Sequence, residues 1–386
     1  MSREVYMDHA ATTYMKEEVI EEMKPYLTDY FGNPSSIYKI SRKTKMAIDE
    51  SRMRIAQTIN ANADEVYFTA GGSEADNWAL KGTALANKDR GNHIITTAIE
   101  HHAILHSCKY LEKLGFEVTY LPVNEFGIVN VEDVKKAITN KTILVSIMFA
   151  NNEIGSIQSI EQIGSICRNK KIIFHTDAVQ AVGSVPIDVK SMNIDLLSMA
   201  SHKFYGPKGI GALYMRKGIK VDNLIHGGAQ ERAKRAGTEN VMAIAGMGKA
   251  IELAEQNMNE ERKRLTYLRD KMIKGLLNIP GTKLNGAEGE NRLPGNVNIS
   301  FESVDGDTLL MLLDSEGICA SSGSACSAGA LEPSHVLMAI GLKEDLAKGS
   351  LRLTLGYKTT EEDVDYTVKI IEEAVNKIRD NKKKWK

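Results

Sequence analysis

The chain has 386 residues, with 49 Lys+Arg against 50 Asp+Glu, which is enough to bury a full core and to divide into one large and one small domain. The neutral balance lacks the basic excess of a nucleic-acid binder, and no run approaches the ~18 consecutive apolar residues of a membrane helix, so neither nucleic acid nor membrane is an expected partner. Four cysteines without a CxxC pair fit a reducing, cytoplasmic compartment, and the polar N-terminus carries no apolar signal-peptide core.

Taken in order, residues 1–14 end in Asp8-His9-Ala10-Ala11-Thr12-Thr13, a small, polar stretch suited to lining a cleft. One amphipathic helix is expected over 15–31, then the breaker cluster Gly32-Asn33-Pro34-Ser35-Ser36 and a charged helix to about Asn60. From about 65 the pattern alternates. Strand-like runs stand at 65–69, 93–97, 117–121, 142–147, 171–176, 194–198 and 211–215, most of them separated by helical stretches. That reads as an α/β fold with a mostly parallel seven-stranded sheet wrapped by helices, where ligands bind beyond the carboxyl ends of the strands. A long charged helix from 250 to 277, a strand-like run at 296–301, a helix near 307–315 and a final helix from 360 form a smaller α+β domain. The expected division is 15–252 for the large domain, with 1–14 and 253–386 making the small one.

The candidate chemistry sits at the strand ends. Glu65-Val66-Tyr67-Phe68-Thr69-Ala70-Gly71-Gly72-Ser73 runs a strand into small residues and then a helix. Its backbone N–H groups, with the hydroxyl of Ser73, suit a phosphate as well as an ordinary capped helix. In Ile99-Glu100-His101-His102, a histidine after a strand end is placed to stack on a planar cofactor and move protons, and the adjacent pair is not a metal site. Asn151-Asn152-Glu153 brings amide groups to the same edge.

Asp177, in Phe174-His175-Thr176-Asp177, is either a helix cap or the partner of a cation such as a protonated pyridine. Lys203, in Ser201-His202-Lys203-Phe204-Tyr205-Gly206-Pro207, follows a buried strand among small residues, where a desolvated amine is a nucleophile toward carbonyls. One helix fits between Asp177 and Lys203, so carboxylate and amine come to neighbouring strand ends. Together with a phosphate cradle, this is the set that pyridoxal phosphate requires. Cys326, in Ser321-Ser322-Gly323-Ser324-Ala325-Cys326-Ser327, is a thiol among small polar residues, expected to be exposed and able to swing. The alternation Ser350-Leu351-Arg352-Leu353-Thr354 puts Arg352 on one face, for a substrate carboxylate or a structural ion pair.

With these elements in this order, the sequence resembles the cysteine desulfurases of the NifS/IscS type in the class V aminotransferase group, most specifically in Ser201-His202-Lys203 with Gly206-Pro207-Lys208-Gly209 and in Ser321–Cys326. The resemblance implies a fold-type I, pyridoxal phosphate-dependent homodimeric transferase that takes sulfur from L-cysteine, leaving L-alanine and a persulfide on Cys326. That sulfur would go to iron–sulfur cluster assembly or another acceptor, where Cys326 would transiently meet a nascent cluster on a scaffold. It also implies that Lys203 holds the cofactor and moves the α-proton, that His101 stacks and acts as acid/base, and that Asp177 pairs with the ring nitrogen. Gln180 would bind the phenolate oxygen, while Gly72, Ser73 and His202 would bind phosphate. Asn152 and Arg352 would hold the substrate carboxylate, and Thr238 would reach the partner subunit's phosphate. Ala200 stands where the family often has serine, so Ser201 or a water is the expected substitute for that hydroxyl. Ala229 stands where a third glycine is common.

Overall fold

The computed structural model describes residues 3–322 and 333–384. Its strands are β1 (Val5–Tyr6), β2 (Val66–Thr69), β3 (His93–Thr97), β4 (Glu117–Leu121), β5 (Thr142–Ser146), β6 (Ile173–Asp177), β7 (Leu196–Ala200), β8 (Gly211–Met215), β9 (Thr282–Leu284), β10 (Asn296–Phe301), β11 (Ile318–Cys319) and β12 (Ser350–Thr354). Seven of them form one sheet in the order β2-β8-β7-β6-β5-β3-β4. The β4, β3, β5, β6 and β7 strands run parallel, and β8 is antiparallel to both of its neighbours. The fold is therefore the expected α/β arrangement. Strands β3, β5, β6, β7 and β8 are buried along their whole length, as apolar runs covered by helices on both faces must be.

Two of the four hydrophobic clusters among the described residues mark the division of the packing. One is built on the seven-stranded sheet and includes Ile95, Val145, Phe174, Leu197 and Met247. The other gathers around the three-stranded sheet β12-β10-β9 and includes Met272, Ile299, Leu351 and Val375. A single 37-residue helix, Val241–Leu277, contributes to both. It starts nine residues before the charged stretch that announces it, because Asn240 caps it by accepting from Ala243 N at 3.2 Å. Its first turns are small and apolar and pack tightly on the helix Lys39–Thr58, where a Cβ on Gly248 would come 2.5 Å from Ser51 Oγ.

The one helix expected over 15–31 is two, Glu17–Met23 and Pro25–Thr28. Pro25 donates no N–H and opens the second piece, where that loss costs least. The first residues of the chain cross between the cores. Val5 and Tyr6 pair in parallel with Ile318 and Cys319, and Thr354 N donates to Met7 O at 2.7 Å.

Candidate active site

The carboxyl ends of β3, β5, β6 and β7 face a cavity of about 320 Å³, closed on its far side by Arg352 of β12. Nine of the residues singled out from the sequence line it: Gly72, Ser73, His101, Asn152, Asp177, Gln180, His202, Lys203 and Arg352.

Lys203 closes a single 3-10 turn, Ser201–Lys203, directly after β7. Its Nζ donates to the carbonyls of Ala10 and, at 2.9 Å, Ala11. The segment bearing those carbonyls is pinned to the same turn. Thr13 N donates to His202 O at 3.0 Å, Tyr205 N to Thr13 Oγ1 at 3.0 Å, and Gln180 Nε2 to Ala10 O at 3.0 Å. His202 Nδ1 lies 3.1 Å from Thr12 Oγ1, and burial together with Lys203 and Lys208 pushes its imidazole down to about 4. It is a neutral ring at physiological pH.

Asp177 is the last residue of β6 and is 6% exposed. It accepts from Val179 N at 2.9 Å. Burial raises its carboxyl, and the Val179 N–H and the charge of Lys203 oppose that rise. His101 caps the helix His102–Lys113 by accepting from Ala103 N on Nδ1 at 3.1 Å. In the neutral ring that bond leaves the proton on Nε2.

The anion end is set by Gly72, whose Cβ would stand 2.7 Å from Val179 Cγ2, so only glycine permits this approach of the backbone to β6's exit. With exposed Ser73 it opens the helix Gly72–Asn77. Ser201 does not join them. Its hydroxyl is fully buried without a partner, in the space a Gly206 side chain would need, and the cavity wall is Ala200 instead. Ser201 opens the 3-10 turn and does not line the cavity, so of the two substitutes expected from the sequence the structure does not bring its hydroxyl to the anion end. Thr238 is exposed and lies outside the cavity.

On the opposite wall Arg352 is 1% exposed. Its Nη2 sits 2.8 Å from Asp8 Oδ1 and its Nη1 donates to Asn152 O at 3.2 Å, while Nε is buried without a partner. Ser321 Oγ donates to Asp8 Oδ2 at 2.8 Å. Asn151 turns inward, accepting from Glu153 N and Ile154 N at 2.8 and 3.0 Å, which leaves its neighbour Asn152 to the cavity. Residues 323–332, with Cys326, lie outside the described residues.

Sequence reasoning missed the other acids of the cavity: Asp76, Glu100 and Glu153. Glu100 is pushed up to about 8 by burial, against the hydrogen bonds of Thr97 and Met148 N–H. Glu153, bonded by Ser334, is pushed up to about 7. One oxygen of Asp76, one of Asp177 and a ring nitrogen of His101 lie within 4.8 Å of each other. The trio is near enough to share a cation, and a protonated ring nitrogen is one. The amine of Lys203 and the glycine cradle complete a set that fits an aromatic aldehyde carrying a phosphate.

The model of the class-V aminotransferases matches residues 5–367. The chain is 59% identical over 387 residues to the cysteine desulfurase IscS of Clostridium botulinum strain Hall, covering 100% of this chain and 98% of that protein. Among solved structures it superposes on a NifS-like protein with a TM-score of 0.91 at 38% identity, over 97% of this chain and 100% of that one. It superposes on SspA in complex with cysteine with a TM-score of 0.82 at 39% identity, over 91% and 98%.

Proposed function

The chain belongs to the class-V aminotransferase family, and from that premise we propose that it is a pyridoxal phosphate-dependent cysteine desulfurase, releasing L-alanine and carrying the sulfur away on Cys326. The observation that carries the reading is the single cavity shared by Lys203, Asp177, His101, the Gly72–Ser73 turn and Arg352. When bound, pyridoxal phosphate supplies an electron sink for the α-carbon of an amino acid.

The residues divide the remaining work. Lys203 Nζ tethers the cofactor and later receives the substrate's α-proton, and Asp177 holds a proton on the ring nitrogen. His101, with its proton on Nε2, would lie against the cofactor and serve as the acid/base for substrate. Gln180 takes the phenolate oxygen, and Gly72, Ser73 and His202 take the phosphate. Arg352 and Asn152 orient the substrate carboxylate. The guanidinium is already desolvated and aimed into the cavity, so a second carboxylate meets a fork that needs no further dehydration.

The assignment of the thiol draws support from the other three cysteines. Burial raises Cys108 and Cys167 to about 12 each and raises Cys319 as well. None of these is a thiolate near neutrality, and Cys326 is the fourth. Further parts of the same proposal are a large domain of 15–252 with the rest as the small domain, a homodimer in which exposed Thr238 reaches the partner's phosphate, a cytoplasmic location, and delivery to an iron–sulfur scaffold. No helix among the described residues is long and apolar enough to cross a membrane.

Mass spectrometry after L-cysteine treatment tests the reading. Wild-type protein loaded with pyridoxal phosphate should gain one sulfur atom on Cys326. The Cys326→Ala variant should keep the cofactor's visible absorption yet form neither persulfide nor sulfide. Full desulfurase rate in that variant sinks the assignment of the nucleophile.

A further inference from the structure

We propose that Asp76 is the proton-bearing partner of Asp177: the two buried carboxyls hold one proton between them, resident on Asp76, so that Asp177 alone carries the negative charge offered to the cofactor ring. The inference rests on the reading of the site given above, and it makes Asp76 a positioning residue that acts through Asp177.

Asp76 lies on the helix that begins at the Gly72–Ser73 turn and is 1% exposed, on the same face as Ala75 and Ala79. The ionisable groups facing it are His175 and Asp177 from β6, with Glu100 and His101 from the loop after β3. Its Oδ1 stands 3.7 Å from His175 Nε2 and has no hydrogen-bond partner. His175 cannot neutralise it. Both ring nitrogens are taken, Nδ1 by Ser146 Oγ at 2.8 Å and Nε2 by Ser198 Oγ at 3.0 Å. Complete burial pushes that imidazole down to about 3.

Two carboxylates this close and this dry do not both ionise. The site decides which one does. The N–H of Val179, which Asp177 accepts at 2.9 Å, and the charge of Lys203 both favour ionised Asp177. Asp76 is raised well above the ordinary carboxyl range by burial and then by Asp177's charge, with only the Ser198 hydroxyl against it. An ionised carboxylate with an unpartnered buried oxygen is costly, whereas a carboxylic acid needs only a place for its proton. An oxygen of Asp177, within 4.8 Å, is the acceptor assigned to that proton.

Asp76→Asn and Asp76→Ala, made in the full chain, separate this from simple packing. In cofactor-free protein at neutral pH, the infrared difference between wild type and Asp76→Asn should contain the carbonyl stretch of one protonated carboxylic acid. Glu100 and Glu153 cancel in that difference. After loading with pyridoxal phosphate, Asp76→Asn, neutral and still a donor, should keep cofactor affinity within about threefold and the pH midpoint of the visible band unchanged. Asp76→Ala should lose affinity on the order of tenfold or more and move the midpoint by about one pH unit. An infrared difference without the acid band, or an Asn variant whose midpoint moves as far as that of Ala, overturns the proposal. If the Ala variant does not fold, the infrared band and the Asn midpoint decide by themselves. Wild-type protein that takes up no pyridoxal phosphate refutes the functional reading instead, while the infrared result still answers for Asp76.

Discussion

On the seven-stranded side of the cavity, Glu100 and His175 are sealed from solvent and held by neutral donors and acceptors: the Thr97 hydroxyl and Met148 N–H for the first, two serine hydroxyls for the second. On the opposite side Arg352 is sealed almost as tightly, yet it faces the carboxylate of Asp8 at 2.8 Å. At Glu100 and His175 the first wall gives up charge to burial and becomes sensitive to pH. The second keeps its charges by pairing them, at a desolvation cost that only an intact pair offsets. A cofactor ring that needs tuned protons belongs against the first wall. A substrate carboxylate, which must displace or share an ion-pair partner, belongs against the second.

Lys203 sits where the walls meet, and its removal should have the largest effect. Lys203→Ala should lose the visible absorption of bound pyridoxal phosphate after dialysis and all turnover of L-cysteine, whichever wall dominates binding. The paired wall comes next. Asp8→Ala strands the Arg352 guanidinium without its partner and should destabilise the protein by about 3–5 kcal/mol in denaturant unfolding. Adding Arg352→Met to Asp8→Ala should recover much of that loss without restoring activity. Equal stability of the single and double variants would mean that the pair is not what holds this wall.

The burial-tuned wall should show a smaller, pH-dependent effect. Glu100 is at about 8 in the folded chain, above its ordinary 4.5. Between those values the folded protein keeps a proton that the unfolded chain has released. Its contribution to stability therefore falls as pH rises through that window. Glu100→Gln cannot lose that proton, so it should gain on wild type by up to about 1.4 kcal/mol per pH unit there and run parallel below it. Parallel stability curves across the whole window would show that Glu100 is ionised after all.

Much of this was legible in the residues. Strands 93–97, 117–121 and 211–215 stand where the apolar runs put them, and the carboxylate, amine and glycine turn meet because parallel strands bring their carboxyl ends to one edge. Two kinds of information were missing. A 3-10 turn decides which of two adjacent small residues faces the ligand, and nothing in Ala200-Ser201 announces it. Asp76 was not singled out from the sequence at all. The signal was its spacing: it shares the 75–79 face with two alanines, and a carboxylate on an apolar stripe marks either an error of phase or a buried acid. The helix itself loosens to a π turn over Trp78–Gly82 just beyond it, a feature that apolar periodicity does not report.

The crossing of residues 5–13 between the two cores also governs how the molecule is made. Those residues leave the ribosome long before their partners: β1 pairs with residues 318–319, and the carbonyl of Thr354 receives the N–H of His9 at 3.3 Å. The lining over Lys203 therefore waits until Thr354 has been synthesised, through a loop closure of very long range. The strands of the seven-stranded sheet are all made by Met215, so that sheet is free to assemble earlier. A nascent chain thus acquires its vitamin-binding floor well before the roof that isolates the amine, and quality control during translation meets an open, unfinished pocket.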